Sequence, residues 1–355
     1  MSQMEQERAL GRTRLAGPAL VLLALVVWGG ALTAGYVLDG ALVVRDNALL
    51  APFEPLRIAG LDWWEGTGRP GGLYRPVPLV SLAALRTLGD GTPTWINASN
   101  VLLLGVVAWL RFELLARLCA TLASGRVLAW FAAALALVHP ANAELAGGQV
   151  GHADLLALSL ATGALLVGLR DGLASAGIAG LLAALATLSK ESGVLVVPIA
   201  LMLEWLRTDA LRGKRVLRAL AWSGTGVALA LGVRMAVLGS LVSVDDPVYA
   251  GFGALARIAS ALAAFAQHTL PLVLWPLAPL SVVGHQDVPP AEGLADPRAL
   301  LGLALLAALI GGAALALRNG RRELAFGLAL FVVAWLPTSN VLVSTGAIAA
   351  SRFLV

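Results

Sequence analysis

The chain of 355 residues is strongly apolar, with 59% hydrophobic residues, 13% charged residues and a mean hydropathy of +0.83. This composition excludes an ordinary soluble domain, because most of its helices would have to be apolar on every side. The net charge of +4 does not indicate a nucleic-acid partner, since the basic residues lie in short clusters between apolar runs. We therefore expect an all-α, polytopic helical bundle in a lipid bilayer, with no nucleic acid among its partners.

The N-terminal region has the features of a retained signal anchor. Arg8, Arg12 and Arg14 precede an uncharged run over 15–38, which is long enough to span a bilayer and has no convincing small-residue cleavage site. Because arginine and lysine mark the cytoplasmic side of membrane helices, this pattern places the N-terminus in the cytoplasm and Asp39 on the far side. We expect a bacterial inner (plasma) membrane protein with an extracytoplasmic active site.

The polar segment over 39–92 is expected to be an extracytoplasmic loop with interfacial helices. Its apolar stretch over 76–88 is short for a membrane span, and a crossing there would put the basic cluster over 111–126 outside. We therefore place that stretch at the interface. The adjacent Trp63 and Trp64 are explained either as an interfacial anchor or as a platform on which a sugar stacks.

The remainder of the chain, over 93–355, alternates apolar runs with basic clusters. Together with the first run, it predicts roughly 9–11 transmembrane helices in a single domain over 1–355. The apolar runs lie at 91–110, 127–143, 155–169, 172–189, 192–203, 219–233, 258–284, 299–317 and 324–351.

Ionisable residues recur where these runs end, and a charge at membrane depth is costly enough to indicate function. The turn from His139 to Glu144 presents a neutral base and an acid together, although His139 alone is also explained as a turn residue bonded to backbone. Asp154 begins the next run, where it either caps a helix or binds a substrate hydroxyl. Lys190 either contacts a lipid phosphate or simply pairs with the adjacent Glu191.

Several short motifs follow one another in a characteristic order. They are Tyr36-Val-Leu-Asp39, Arg45-Asp46-Asn47, Trp63-Trp64, Tyr74-Arg75-Pro76, Asn100 at the opening of a span, His139-Pro-Ala-Asn-Ala-Glu144, Gly151-His-Ala-Asp154, Leu188-Ser-Lys190-Glu191 and Leu336-Pro-Thr-Ser339-Asn340. In this order they resemble the GT-C superfamily of membrane glycosyltransferases. The nearest branch is the O-mannosyltransferase-type proteins that often carry tetratricopeptide repeats, and the likeness covers nearly the whole chain.

The resemblance implies transfer of a sugar, with inversion, from a polyprenyl phosphate to a hydroxyl acceptor on a protein or glycan. By position, it implies that Asp39 is the catalytic loop aspartate. It further implies substrate or donor binding by Arg75, His139, Glu144, His152, Asp154, Lys190, Glu191 and Arg352. Cations suffice to hold the leaving phosphate, so no metal or cofactor is expected. A divalent ion stays an open alternative.

The chain departs from the family pattern at three positions, which are Gly40 for a second loop acid, Asn142 for a second histidine and Ser351 for a glutamate. These departures leave open a catalytically inactive homologue that acts in membrane assembly. A lipid or solute transporter is a further alternative, although we find no inverted repeat. Similar proteins continue beyond the position of Val355, so we expect a fragment or a short form.

Overall fold

The structure, a computed structural model, describes residues 15–69, 71–120, 124–208, 213–241, 252–274 and 288–341. These residues are largely helical and contain no strand, and four of their helices are candidates to span a membrane. The predicted all-α membrane bundle is therefore confirmed. The described residues group into two compact units, the first drawn from 15–69 and 74–193 and the second from 71–73 and 194–341. The single domain expected over 1–355 stays a prediction.

In its described residues, the first unit contains eight α-helices. They are α1 Ala16–Trp28, α2 Pro55–Ala59, α3 Pro76–Leu88, α4 Thr94–Leu118, α5 Gly125–Val138, α6 Asn142–Gly147, α7 Gly151–Gly168 and α8 Leu173–Ser189. Short 3-10 or π turns lie at Gly29–Thr33, Ala41–Arg45, Ala48–Leu50 and Glu191–Leu195. Proline opens both α2 and α3, where its missing N–H costs nothing and its fixed φ suits the first helical position.

Helix α4 is the centre of this unit, since it packs against α1, α3, α5, α6 and α7. Small residues permit the close approach. At Gly105, an added Cβ would lie 2.8 Å from the Cα of Val21 on α1. Glycine at such a crossing lets two membrane helices pack backbone to backbone.

The helical part of the first span ends at Thr33, five residues before the predicted end at Leu38. The α-helix stops at Trp28, a 3-10 turn begins at Gly29, and the backbone is extended at Ala34. Two consecutive glycines, Gly29 and Gly30, weaken the helix here, because glycine loses the most backbone entropy in a helix.

In its described residues, the second unit contains six α-helices. They are α9 Val196–Thr208, α10 Lys214–Leu238, α11 Ala254–Ala264, α12 Leu270–Leu274, α13 Pro297–Arg318 and α14 Arg322–Trp335. Its core joins α11, α13 and α14 around Phe265, whose ring meets that of Trp335 edge-on at a centroid distance of 4.9 Å. Asp296 caps α13 by accepting a hydrogen bond from the backbone N–H of Arg298.

Four helical segments within the described residues are long and apolar enough to cross a membrane, namely Ala16–Thr33, Gly151–Gly168, Lys214–Leu238 and Pro297–Arg318. Shorter apolar helices are Pro76–Leu88, Gly125–Val138 and Leu173–Ser189. Helix α4 is 25 residues long but carries Arg111, Glu113 and Arg117 near its C-terminal end. The larger number of spans predicted from the sequence therefore stays a prediction.

Candidate active site

Asp39 lies in a tight turn that follows the first span. The turn is closed by a hydrogen bond from the N–H of Gly40 to the carbonyl of Val37, at 2.9 Å. One carboxylate oxygen of Asp39 accepts a hydrogen bond from Nη1 of Arg69 at 2.9 Å, and the guanidinium of Arg69 lies over the ring of Trp64. The Asp39 side chain is 28% exposed. No described residue donates to its other oxygen, so this carboxylate is open to a proton from solvent or substrate.

Asp46, the competing acid in the same segment, has a different environment. Both of its oxygens accept hydrogen bonds at 2.8 Å from the guanidinium of the adjacent Arg45. These hydrogen bonds hold the pKa of the Asp46 carboxyl below its ordinary value. Because arginine holds both oxygens of Asp46 but only one oxygen of Asp39, Asp39 is the better candidate to accept a proton.

The second group of predicted residues is brought together by the hairpin of α7 and α8. These helices have 18 and 17 residues, are joined by a short connection and pack along each other. The first turn of α7 therefore lies beside the last turn of α8. Asp154 and Lys190 form an ion pair there through Oδ1 and Nζ, and each side chain is 12% exposed. Interpretation of Asp154 as the helix cap is wrong, because Val150 occupies that position.

Arg75 connects the start of α3 to this hairpin. Its Nε donates to Oε1 and Oε2 of Glu191 at 3.3 and 3.0 Å, and its Nη2 donates to Oε2 at 2.6 Å. These are charge-assisted hydrogen bonds, which are stronger than those between neutral groups. Its guanidinium also lies over the ring of Trp63, 5.4 Å from the centroid, and Asp154 acts on it electrostatically. Adjacent residues Lys190 and Glu191 thus contact different charged partners. We call Arg75, Asp154, Lys190 and Glu191 the charge cluster.

Trp63 is only 1% exposed, so its ring contributes to the packing of the loop and to the position of Arg75. A buried ring cannot present its face to a sugar or act by itself as an anchor in the headgroup region. The two explanations offered for the Trp63-Trp64 pair therefore do not apply to Trp63 in this conformation.

His152 is buried within a hydrogen-bond network and is 1% exposed. The amide of Asn100 donates to the carbonyls of Leu145 and Gly148, so its oxygen must accept from Nδ1 of His152 at 2.8 Å. Nε2 then accepts from the hydroxyl of Ser81 at 2.9 Å. Both ring nitrogens are engaged, and the histidine ties α7 to α3 and α4. Its predicted contact with the donor stays a prediction.

His139 and Glu144 lie on the turn between α5 and α6. His139 follows the last residue of α5, and its Nδ1 accepts from the N–H of Ala141 at 3.2 Å, which fits a turn histidine bonded to backbone. Glu144 lies in the first turn of α6. Arg352 and Ser351 lie outside the described residues.

The two other departures from the family pattern have structural counterparts. A Cβ at Gly40 would collide with the side chain of Gln149, so this position accepts only glycine in the present conformation. Asn142 donates to the carbonyls of Ala136 and Leu137 at 2.7 and 2.9 Å and thereby closes the last turn of α5.

Sequence reasoning missed Gln149 and Asn97. Both are fully buried, and Nε2 of Gln149 donates to Oδ1 of Asn97 at 2.9 Å. A signal was present, because an amide within an apolar stretch must find hydrogen-bond partners inside the protein. In the described parts of the chain, no group of three or more His, Cys, Asp or Glu residues is arranged to hold a metal ion.

The chain is similar to protein O-mannosyl-transferases. Over 140 residues, or 38% of the chain, it is 35% identical to the protein O-mannosyl-transferase Tmtc1 of Drosophila melanogaster, and the match covers 16% of that protein. Over 219 residues, or 61% of the chain, it is 26% identical to a protein O-mannosyl-transferase of Caenorhabditis elegans, of which 31% is covered. The chain thus spans less than a third of the length of these relatives. No family model and no solved structure matches it significantly.

Proposed function

We propose that the protein is a membrane glycosyltransferase that moves a sugar from a polyprenyl phosphate to a hydroxyl on a protein or glycan. One observation carries the proposal. The same compact unit contains the carboxylate of Asp39, one oxygen of which has no donor among the described residues, and the two cations of the charge cluster, Arg75 and Lys190. The names of the two relatives support the class of reaction and favour mannose as the sugar.

Asp39 acts as the base in this proposal. The acceptor oxygen attacks the anomeric carbon while the bond from that carbon to the phosphate oxygen breaks, and the acceptor proton passes to the carboxylate of Asp39. The electron pair of the broken bond stays on the phosphate. A single displacement of this kind inverts the anomeric centre. The contact with Arg69 holds one oxygen of the Asp39 carboxylate in place and leaves the other oxygen to accept the proton.

Arg75 and Lys190 stabilise the phosphate, which gains negative charge as it leaves. Before the donor binds, Glu191 and Asp154 balance these cations, which lowers the free-energy cost of keeping them largely out of water. Arg75 retains donor capacity, because none of the described residues accepts from its Nη1. The proposed site thus offers the phosphate a guanidinium edge and an ammonium group.

A comparison of two carboxylates tests the base. Purified protein is assayed with radiolabelled polyprenyl-phosphate mannose and with peptide and glycan acceptors. Asp39→Asn keeps the shape of the side chain but removes proton acceptance, so turnover should fall roughly 10²- to 10⁴-fold while donor binding persists. Asp46→Asn is the matched control, since it removes a carboxylate of the same segment that is already paired with arginine.

Three results would count against this scheme. Full activity of Asp39→Asn together with loss of activity in Asp46→Asn would move the base to Asp46. Absence of transfer by the unmodified protein from every defined polyprenyl-phosphate sugar would favour the catalytically inactive homologue. Passage of labelled donor or sugar across the membrane of liposomes that contain the protein, without sugar transfer to an acceptor, would favour the transporter.

A further inference from the structure

The turn that carries Asp39 is strained. Leu38, the residue before Asp39, has φ +47°, a left-handed conformation that is unfavourable for an L-residue with a bulky side chain. The residue is 65% exposed, so its side chain gains little from packing. Such a conformation persists only where the surrounding structure imposes it. The neighbours of Leu38 must therefore hold the turn.

Gln149 contacts the turn on both sides of Leu38 and Asp39. Its Oε1 accepts a hydrogen bond from the N–H of Val37 at 3.0 Å, and its Nε2 donates to the carbonyl of Gly35 at 3.2 Å. On the other side of Asp39, the backbone of Gly40 lies so close to Gln149 that a Cβ would collide with the glutamine side chain. One buried side chain thus fixes the chain before and after the candidate base.

The amide of Gln149 is itself rigidly placed. Its bond to Asn97 is reinforced because Nδ2 of Asn97 donates to the carbonyls of Ala31 and Ala34, at 3.0 and 2.8 Å, where the first span ends. Asn97 belongs to α4, the central helix of the unit. Hydrogen bonds between uncharged groups therefore link the turn to α4, the most extensively packed helix of the unit, and fix its position.

We infer that Gln149 is a positioning residue that sets the place and direction of the Asp39 carboxylate. Its hold on the turn is a property of the fold, and only its effect on turnover rests on the proposed function. A misplacement of about 1 Å at a reacting group is enough to lower a rate roughly 100-fold. Gln149 therefore affects the rate through Asp39, without contact to sugar or phosphate.

Replacement of Gln149 by methionine tests the inference, because methionine has a similar length and volume but makes none of these hydrogen bonds. Hydrogen–deuterium exchange of the full-length protein in detergent should become faster in peptides spanning 35–40, since the N–H of Val37 loses its acceptor. Peptides spanning 186–193 should be unchanged. In transfer assays, kcat should fall roughly 10- to 100-fold, with the donor KM unchanged.

Asn142→Leu is the matched control. Asn142 is an equally buried amide on the neighbouring turn, but its hydrogen bonds go to the carbonyls of Ala136 and Leu137 at the end of α5. This variant should lose stability without faster exchange over 35–40 and without the selective loss of kcat. If kcat falls and the donor KM rises to the same extent in Gln149→Met and Asn142→Leu, the inference is overturned, and Gln149 has a general structural role.

A double-mutant cycle tests the contact at Gly40. Gly40→Ala should lower kcat in the native background, because its Cβ displaces Gln149, and should have little further effect in a Gln149→Ala background, where the space is open. Equal effects in both backgrounds would contradict the inference.

The exchange measurement separates the two hypotheses. Faster exchange over 35–40 in Gln149→Met, in a protein that never transfers sugar, supports the hold on the turn and refutes the proposed function. If the protein is active and Gln149→Met keeps the native exchange and the native kcat, the inference is refuted and the proposed function is not.

Discussion

Replacement of Lys190 by methionine removes one member of the ion pair with Asp154. Because each side chain is only 12% exposed, the loss leaves a carboxylate largely buried without its cation. Breaking such a pair costs on the order of 3–5 kcal/mol when burial is complete. If Lys190 also holds the donor phosphate, the variant loses a further charge-assisted contact of about 1.5–3 kcal/mol, which corresponds to roughly a 10- to 150-fold rise in the donor KM.

The double variant Lys190→Met with Asp154→Leu separates these two effects. Stability should largely recover, since no unpaired charge remains, whereas the donor KM should stay high. Thermal unfolding followed by tryptophan fluorescence in detergent reports the first quantity, and transfer rates at varied donor concentration report the second. The control is the exposed pair of Arg45 and Asp46, whose removal should leave the stability nearly unchanged, because exposed ion pairs contribute little.

The refuting result is specific. If the double variant regains both its stability and the native donor KM, Lys190 serves only to neutralise Asp154 and does not contact the phosphate. The ammonium group would then close the helix hairpin, and of the two cations in the charge cluster only Arg75 would remain to bind the leaving group.

Two further predictions concern the buried network and the topology. His152→Leu should lower stability by about 1–3 kcal/mol, because it leaves the buried oxygen of Asn100 without its donor. A rise in donor KM would support the predicted contact of His152 with the donor, and an unchanged donor KM would refute that contact. The topology is tested with single cysteines, in protein with Cys119 replaced, at the exposed positions of Glu54 and Lys214. An impermeant thiol reagent added outside should label the cysteine at 54 but not the one at 214, since basic clusters favour the cytoplasm. Labelling of both from one side would refute the predicted orientation.

The helices were predictable because an apolar run in a membrane must satisfy its own backbone hydrogen bonds, and a helix does so within the run. Their ends were less so. Helix α4 continues to Leu118, beyond the predicted end at 110, because the long stems of Arg111 and Arg117 lie along a helix as readily as apolar side chains do. The first span is shorter in its helical part than its apolar run, since Gly29 and Gly30 weaken the helix before the run ends.

The pairing of the candidate site residues was not predictable. Arg75 and Glu191 are 116 positions apart in sequence, and Asp39 and Arg69 are 30 apart. Which of these charges meet depends on which helix ends and loops the fold brings together, and the sequence does not contain this information in any local pattern. For the same reason, the sequence offered a pair between Lys190 and Glu191 only as an alternative to a phosphate contact, and it did not indicate that each side chain contacts a residue from another segment.

The two halves of the candidate site are held by different interactions, and the difference has a chemical reason. Ion pairs hold the charge cluster, so a phosphate can exchange with the carboxylates while the total charge changes little. Neutral amides hold the turn of Asp39. A carboxylate in place of Gln149 would repel the carboxylate of Asp39, and a cation there would compete with Arg69 for it. A neutral amide fixes the position of the base without either effect, and for that reason it carries no charge pattern by which the sequence could reveal it.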